Sequence, residues 1–364
     1  MTILYDDRAF RQRFGGVPKC FCEVMRRFPT DVHWRIAAYA SDNEFLKDPP
    51  FSVRKWPFGF VSSWRGIGWR YENLKHRLNE RLFAKMVRAS DVDIVHLTEP
   101  HYYNGLWKLV PADKPLVITI HDLIPELIWN NETVRIDRAK VLERANHIIT
   151  VSSYTKRRLQ ELYGTPDEKI SVVYHGCSAT ENQEMASVFP GLKYLLYVGG
   201  RYEYKNFPWL AKALAPLLKD DRRMKLVCTG VPFSSQEMAM LNRLGIQECV
   251  IQKPIPDWQM RSLYAHALCF IYPSKMEGFG IPILDAFSAS CPVILSRSSC
   301  FPEIGGDAAL YFEECDEEGL RNLICQLLND DSLRSHMIER GRIRAASFSW
   351  NHASKEVADV YRSL

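Results

Sequence analysis

Glu277, Gly278, Gly280 and Asp285 carry the first chemistry that can be argued from this chain. They lie in Tyr272-Pro-Ser-Lys-Met-Glu-Gly-Phe-Gly-Ile-Pro-Ile-Leu-Asp285, where one carboxylate sits in a glycine loop and a second follows eight positions later. The apolar run Leu268–Tyr272 ahead of it predicts a buried strand of a parallel sheet. Ile283 to Ala289 behind it predicts a helix, with Pro282 in the first turn, where a missing N–H costs nothing. The glycines let backbone amides approach a ligand closely, and a helix N-terminus attracts negative charge. An anion cradle beside paired carboxylates suits a ligand bearing both phosphates and hydroxyls, and a nucleotide-sugar fits. The bland alternative is an ordinary strand–turn–helix, because Gly-Phe-Gly is only part of a dinucleotide fingerprint.

Three other places could serve the same ligand. Gly199-Gly-Arg-Tyr-Glu-Tyr-Lys-Asn206 places Arg201 and Lys205 beside a glycine turn and a new helix start, although spacing alone equally describes a surface pair. Gly15 and Gly16 stand at a loop-to-helix junction after the short strand Ile3–Tyr5, where amides could meet a phosphate or a sugar. Two glycines are more often just a turn. His121 follows the central strand Leu116–Ile120, at the carboxyl end where open α/β sheets place ligands. A lone histidine there is more often structural than catalytic.

Taken together, Pro-Ser-x-x-Glu277-Gly-Phe-Gly-Ile-Pro with Asp285, Thr-Ile-His121-Asp-Leu-Ile-Pro, the Gly199 to Asn206 loop and the Gly15-Gly16 pair resemble retaining glycosyltransferases of family 4. That family usually carries Glu where Asp285 stands, so the contact to ribose hydroxyls starts from a side chain one methylene shorter. The resemblance spans nearly the whole chain. It implies two Rossmann-like domains facing across a cleft, the GT-B arrangement: residues 1–178 on the acceptor side, 190–345 binding the nucleotide-sugar, and a helix at 346–364 crossing back to the first domain. It further implies that His121 and Glu277 serve catalysis. Gly15, Gly16, Arg201, Lys205, Ile255, Phe279, Gly280, Ile281 and Asp285 would bind the donor, with Ile255 at the nucleotide base. No metal or other cofactor is expected, and no Asp-x-Asp run stands at the diphosphate loops. The implied partners are a nucleotide-sugar donor (GDP-mannose-like or a UDP-sugar) and a saccharide or lipid-linked acceptor. Other readings are a nucleotide-sugar epimerase or phosphorylase on the same fold, and a non-catalytic binding subunit.

The elements that must position these residues alternate between strand and helix patterns, as α/β layers with parallel sheets require. Further strands are expected at 33–39, 93–97, 147–152, 194–198, 224–228, 250–251 and 292–296. Helices are expected at about 71–88, 154–163, 258–267, 317–328, 332–345 and 350–363, and residues 177–192 read as a linker. At 364 residues with 46% hydrophobic and 25% charged side chains, the composition is that of a globular protein of two domains. No apolar run reaches the roughly 18–20 residues of a membrane span, and the N-terminus does not read as a signal peptide. The ten cysteines lack Cys-x-x-Cys or metal-ligand spacing, consistent with reduced thiols in a cytosolic protein. Residues 1–180 hold 27 Lys/Arg against 21 Asp/Glu, too modest a bias for nucleic acid. Arg54 to Arg88 concentrates nine cations and two acids among three tryptophans. That stretch reads either as a solvated helix packed through Leu74, Leu78 and Phe83, or as a patch for an anionic membrane surface.

Overall fold

The computed structural model describes residues 1–51, 53–57, 67–98, 105–177 and 185–364. Part of the expected linker and several aromatic residues of the basic stretch, Phe58, Phe60 and Trp64 among them, lie outside these residues. The chain divides into two compact units, Met1–Gly176 with Trp350–Leu364, and Cys177–Ser349.

The first unit is built from β1 (Thr2–Tyr5), α1 (Gly16–Met25), β2 (His33–Ile36), α2 (Gly68–Met86), β3 (Ile94–Leu97), β4 (Leu116–Ile120), α3 (Ile124–Leu127), α4 (Glu132–Arg144), β5 (His147–Thr150), α5 (Ser153–Tyr163) and β6 (Ile170–Val172). Its strands pair in parallel in the order β2-β1-β3-β4-β5-β6. β3 and β4 are buried on every residue, as strands covered on both faces must be. Ser152 caps α5 by accepting the Thr155 amide, and Gly164 ends it at φ +63°.

The second unit follows the same plan with β7 (Lys193–Tyr197), α6 (Phe207–Asp220), β8 (Met224–Cys228), α7 (Ser235–Leu244), β9 (Val250–Gln252), α8 (Asp257–Ala265), β10 (Cys269–Tyr272), α9 (Ile281–Ser288), β11 (Val293–Ser296), α10 (Phe301–Gly305), β12 (Leu310–Phe312), α11 (Glu317–Asn329) and α12 (Asp331–Ala346). Its order is β12-β11-β10-β7-β8-β9, again parallel. The α6 residues Phe207, Leu210, Ala211, Leu214 and Leu218 recur at helical spacing, and all are fully buried in the core with Leu195 and Tyr197 of β7.

A last helix, α13 (Trp350–Arg362), belongs to the first unit and buries Trp350, Ala353, Val357 and Tyr361 in its core. Its entry requires glycine at 176, because a Cβ there would lie 2.1 Å from the Trp350 backbone nitrogen.

Both sheets reverse direction once. β1 connects to β2 on one side and the chain then returns to β3 on the other; in the second unit the same reversal falls between β7 and β10. Open α/β sheets bind ligands beyond the carboxyl ends of the strands at such switch points.

The α2 expectation needs correcting. Its inward face is Lys75, Asn79 and Phe83, whereas Leu74 is 52% exposed. The helix register puts residue 75, not 74, on the line through 79 and 83, and Lys75 tolerates that burial by pairing with Asp42 and Glu72.

Candidate active site

In the second unit, the loops after β7 and β10 flank the switch point, and one ion pair joins them. Lys205 Nζ lies 2.6 Å from Glu277 Oε1 and donates to the Tyr272 hydroxyl at 3.1 Å. The two charged side chains are 13% and 11% exposed. Burial is the largest single influence and depresses the Lys205 ammonium, but the charge of Glu277, Tyr272, Tyr204 and the hydrogen bond to Glu277 together outweigh it and hold Lys205 well above the ordinary lysine value. Main-chain bonds fix both loops: the Lys275 amide donates to the Tyr204 carbonyl at 2.8 Å, and the Glu277 amide to Ser299 Oγ at 3.1 Å. Ser296 and Ser298 both donate to the Ser274 carbonyl. The carboxylate is therefore presented from a rigid turn.

That turn passes through buried Phe279 to Gly280, which caps α9 at φ +89°. A side chain at 280 would be strained, and its Cβ would press on Ile283 and Phe301 at 3.0 and 3.2 Å. Ile281 opens α9 and Asp285 lies in its second turn, half-buried. Near Asp285 is Tyr264 of α8, whose hydroxyl is buried with no hydrogen-bond partner among the described residues. Burial first, and then the Asp285 charge, push that phenol well above its usual value. Ile255 sits half-buried between β9 and α8.

Arg201 differs from the expectation of a cation presented beside Lys205. Its Nε meets Glu237 at 2.5 Å, Nη1 donates to the Thr229 carbonyl, and Nη2 to those of Val231 and Pro232. The guanidinium also lies over the Phe233 ring at 4.5 Å. Only 3% of its side chain is exposed, so it ties the loop after β7 to the turn after β8. Glu237 is itself held in a capping box with Ser234. Neither Ser234 nor Glu237 was singled out from the sequence, and the link to Arg201 follows only from the tertiary contact.

In the first unit, Asp6 at the end of β1 accepts the amides of Arg8 and Thr98, and Thr98 Oγ1 accepts the Ala9 amide. The loops after β1 and β3 are thereby joined. His121, just past β4 and 9% exposed, points Nε2 at the Thr98 carbonyl at 3.2 Å. That places the proton on Nε2 and leaves Nδ1 as an acceptor. Burial lowers its pKa to about 4, so the imidazole is neutral at pH 7. Gly15 is the N-cap and Gly16 the first residue of α1. The single Asp-x-Asp of the chain, Asp91-Val-Asp93, precedes β3 at the amino edge of this sheet, where Asp93 accepts the Thr2 amide.

Two Rossmann-like units in one chain, each with polar loops at the carboxyl edge of a parallel sheet, are the mark of the GT-B glycosyltransferases. Comparison with known proteins agrees. Residues 14–181 match the model described as Glycosyltransferase Family 4, and residues 179–344 that of Glycosyl transferases group 1. O-antigen chain mannosyltransferase B of Escherichia coli is 30% identical over 269 residues, 68% of this chain and 70% of that one. O-antigen chain mannosyltransferase RfbU of Salmonella typhimurium is 26% identical over 220 residues, 59% of this chain and 61% of its own. Among solved structures, Anabaena HepE in complex with UDP and glucose has a TM-score of 0.77 at 18% identity, with both chains covered completely. The chain belongs to glycosyltransferase family 4 and is a transferase of the GT-B fold.

Proposed function

We propose that this transferase moves a hexose from a nucleotide-sugar to a hydroxyl of a saccharide or lipid-linked acceptor, with retention at the anomeric carbon and without a metal ion, in surface-polysaccharide synthesis. The observation that carries the reading is the Lys205–Glu277 pair at the switch point. A nucleoside diphosphate leaving group gains negative charge as the glycosidic bond breaks, and a preorganised cation in a dry site stabilises that charge. Lys205 is such a cation. Glu277, fixed by its own amide, accepts hydrogen bonds from donor-sugar hydroxyls. His121 offers neutral Nδ1 to a hydroxyl and adds no positive charge beside an oxocarbenium-like centre. Asp285 takes the ribose, while Phe279, Gly280 and Ile281 supply the backbone at the start of α9 for phosphate, and Ile255 borders the base. Arg201 acts by shaping the turn after β8, and Gly15 and Gly16 border the donor. The O-antigen mannosyltransferases among the relatives support a mannose-like donor, and the UDP complex of HepE supports a nucleotide-sugar.

Among the described residues no helix is long and apolar enough to cross a membrane. The solvent face of α2 and its flanks carries Ile67, Trp69 and Leu74 beside Arg70, Arg77, Arg81 and Arg88. That mixture fits peripheral contact with an anionic inner membrane surface.

A panel of GDP- and UDP-sugars incubated with EDTA tests the central reading. Release of nucleoside diphosphate and a product with the donor's anomeric configuration, read by NMR, are expected. Turnover that appears only when a divalent ion is restored removes metal independence. Donor recovered as its epimer indicates an epimerase, and binding without turnover of any donor indicates a binding subunit.

A further inference from the structure

Among the described residues, the largest fully buried side chain is a cation, Arg138 in the middle of α4. Its Nε lies 2.7 Å from Glu126 Oε1 of α3, and the two side chains are 0% and 1% exposed. Tyr163, the last residue of α5, donates its hydroxyl to the same oxygen at 2.9 Å. α3, α4 and α5 therefore meet at one carboxylate. The pairing is incomplete, because Glu126 Oε2 and Arg138 Nη2 are buried with no hydrogen-bond partner among the described residues. A buried ion pair with unfilled hydrogen bonds gains little over apolar side chains of the same volume, since both charges give up their water on folding. Stability alone is a poor account of it. The bond that leaves the pair has a definite target: Arg138 Nη1 donates at 2.8 Å to the carbonyl of Asp122, the residue after His121.

We propose that Arg138, braced by Glu126 and Tyr163, is a positioning residue that fixes the backbone after β4 and so aims His121 at the donor sugar. The inference rests on the reading of His121 given above and deepens it. β4 ends its ladder at Ile120, opposite Thr150, so the His121–Asp122 backbone must be held by other bonds. Local bonds hold one side of the segment. Asp122 Oδ1 accepts the Ile124 amide at 3.0 Å, and the Leu123 carbonyl accepts the Leu127 amide at 2.9 Å. The Asp122 carbonyl is held from outside, by a residue 16 positions later. A guanidinium suits that task because its nitrogens are fixed in one plane, so an Nε set against Glu126 leaves Nη1 few directions to point. The ring itself meets the Thr98 carbonyl through Nε2 at 3.2 Å and Phe21 edge-on at 5.5 Å. Turning the Asp122 peptide would shift the ring against both contacts, and a misplacement of about 1 Å can cost on the order of a hundredfold in rate. The Arg138 charge also acts on the ring, adding to burial in keeping His121 neutral.

Two variants of the full chain test this. Arg138→Lys keeps a cation for Glu126 but has one nitrogen in place of three, and so loses the Asp122 bond. Arg138→Met combined with Glu126→Leu replaces the pair by apolar side chains of similar size, and its urea midpoint is expected at or above that of wild type. In both, kcat with the donor found by the panel above is expected to fall tenfold or more. Donor KM and nucleoside diphosphate affinity are expected to stay within twofold of wild type. Nitrogen-15 NMR of the histidine rings gives a readout that needs no turnover. The His121 signal, assigned by its loss in His121→Ala, is expected to show a single Nε2–H form in wild type and an exchange-averaged form in both variants. Transfer within twofold of wild type in either folded variant, a raised KM at unchanged kcat, or an unmoved His121 signal overturns the proposal. The two readings fail differently: normal transfer by His121→Ala removes His121 from the catalytic set, whereas a failed Arg138 proposal leaves His121→Ala impaired.

Discussion

Lys205 and Glu277 are 72 positions apart in the chain, yet they form the central contact of the candidate site. Each was legible from its own motif, because a lysine before a helix start and a glutamate in a glycine loop are local patterns. Their pairing was not, because it depends on which strands neighbour each other. Truncating either removes a partner from a largely buried pair, a class of change that costs about 3–5 kcal/mol when burial is complete. Lys205→Ala is therefore expected to lower the unfolding free energy and to weaken nucleoside diphosphate binding by about 1.5–3 kcal/mol, roughly ten- to hundredfold, read by calorimetry. Glu277→Gln keeps the shape and is expected to reduce transfer at least about tenfold, close to 1.4 kcal/mol, with a much smaller change in nucleotide affinity. Normal transfer by Glu277→Gln would remove it from the catalytic set. For Asp285, Ala is expected to weaken nucleotide binding and Glu to preserve it; equal affinity in wild type and Asp285→Ala would leave Asp285 a helix residue only.

At the scale of elements, the strands were the most readable, since runs such as Leu116–Ile120 are apolar throughout and few folds bury such a run except in a parallel sheet. Among the elements missed were α4 and the three-residue β12. The first has polar residues around most of its circumference, and the second is too short to show a period. α2 was found and Phe83 is buried as expected, but Lys75 takes the inward place expected of Leu74. Its observed orientation decides which cations face solvent: Lys75 is buried, while Arg70, Arg77, Arg81 and Arg88 are exposed. Each such cation near an anionic surface contributes about 1 kcal/mol, and salt weakens the sum. Wild type is expected to sediment with anionic vesicles at low salt, and replacing those four arginines with Gln to abolish this. If Trp69→Ala and the four-Gln variant both co-sediment as wild type does, α2 is not the attachment surface.

At the scale of the molecule, the first unit buries three neutral histidines in one region. His96, bonded to Tyr361 of α13 and to Thr119, and His175, beside Cys20 at 3.1 Å, are lowered to about 3, and His121 to about 4. Burial is the leading cause in all three, with His121 adding to the shifts of the other two. An unfolded chain protonates these rings below about pH 6.5, whereas the native state refuses the protons until pH 3–4. Their stabilisation is thus complete above pH 6.5 and is lost as pH falls toward 4. Each group contributes about 1.4 kcal/mol per pH unit across that window, on the order of 4 for the three together. Buried Asp6 and half-buried Glu356, both raised first by desolvation, oppose them but are two groups against three. Urea unfolding followed from pH 7 to pH 4.5 is expected to show steeply falling stability with net proton uptake; a flat profile would mean that the native rings protonate normally.

The sequence by itself determined the class of fold and named the candidate positions for the site. Apolar runs, capping residues and glycine turns act within a few residues of each other and need no knowledge of the rest of the chain. Tertiary structure decided what those positions touch. Arg201 is spent on the carbonyls of the turn after β8, Lys205 goes to Glu277 and Tyr272, and Lys75 joins Asp42 from 33 residues away. Such contacts follow from strand order and helix register. Both are set by how the whole core packs, because a shift of one residue along α2 would exchange buried Lys75 for exposed Leu74.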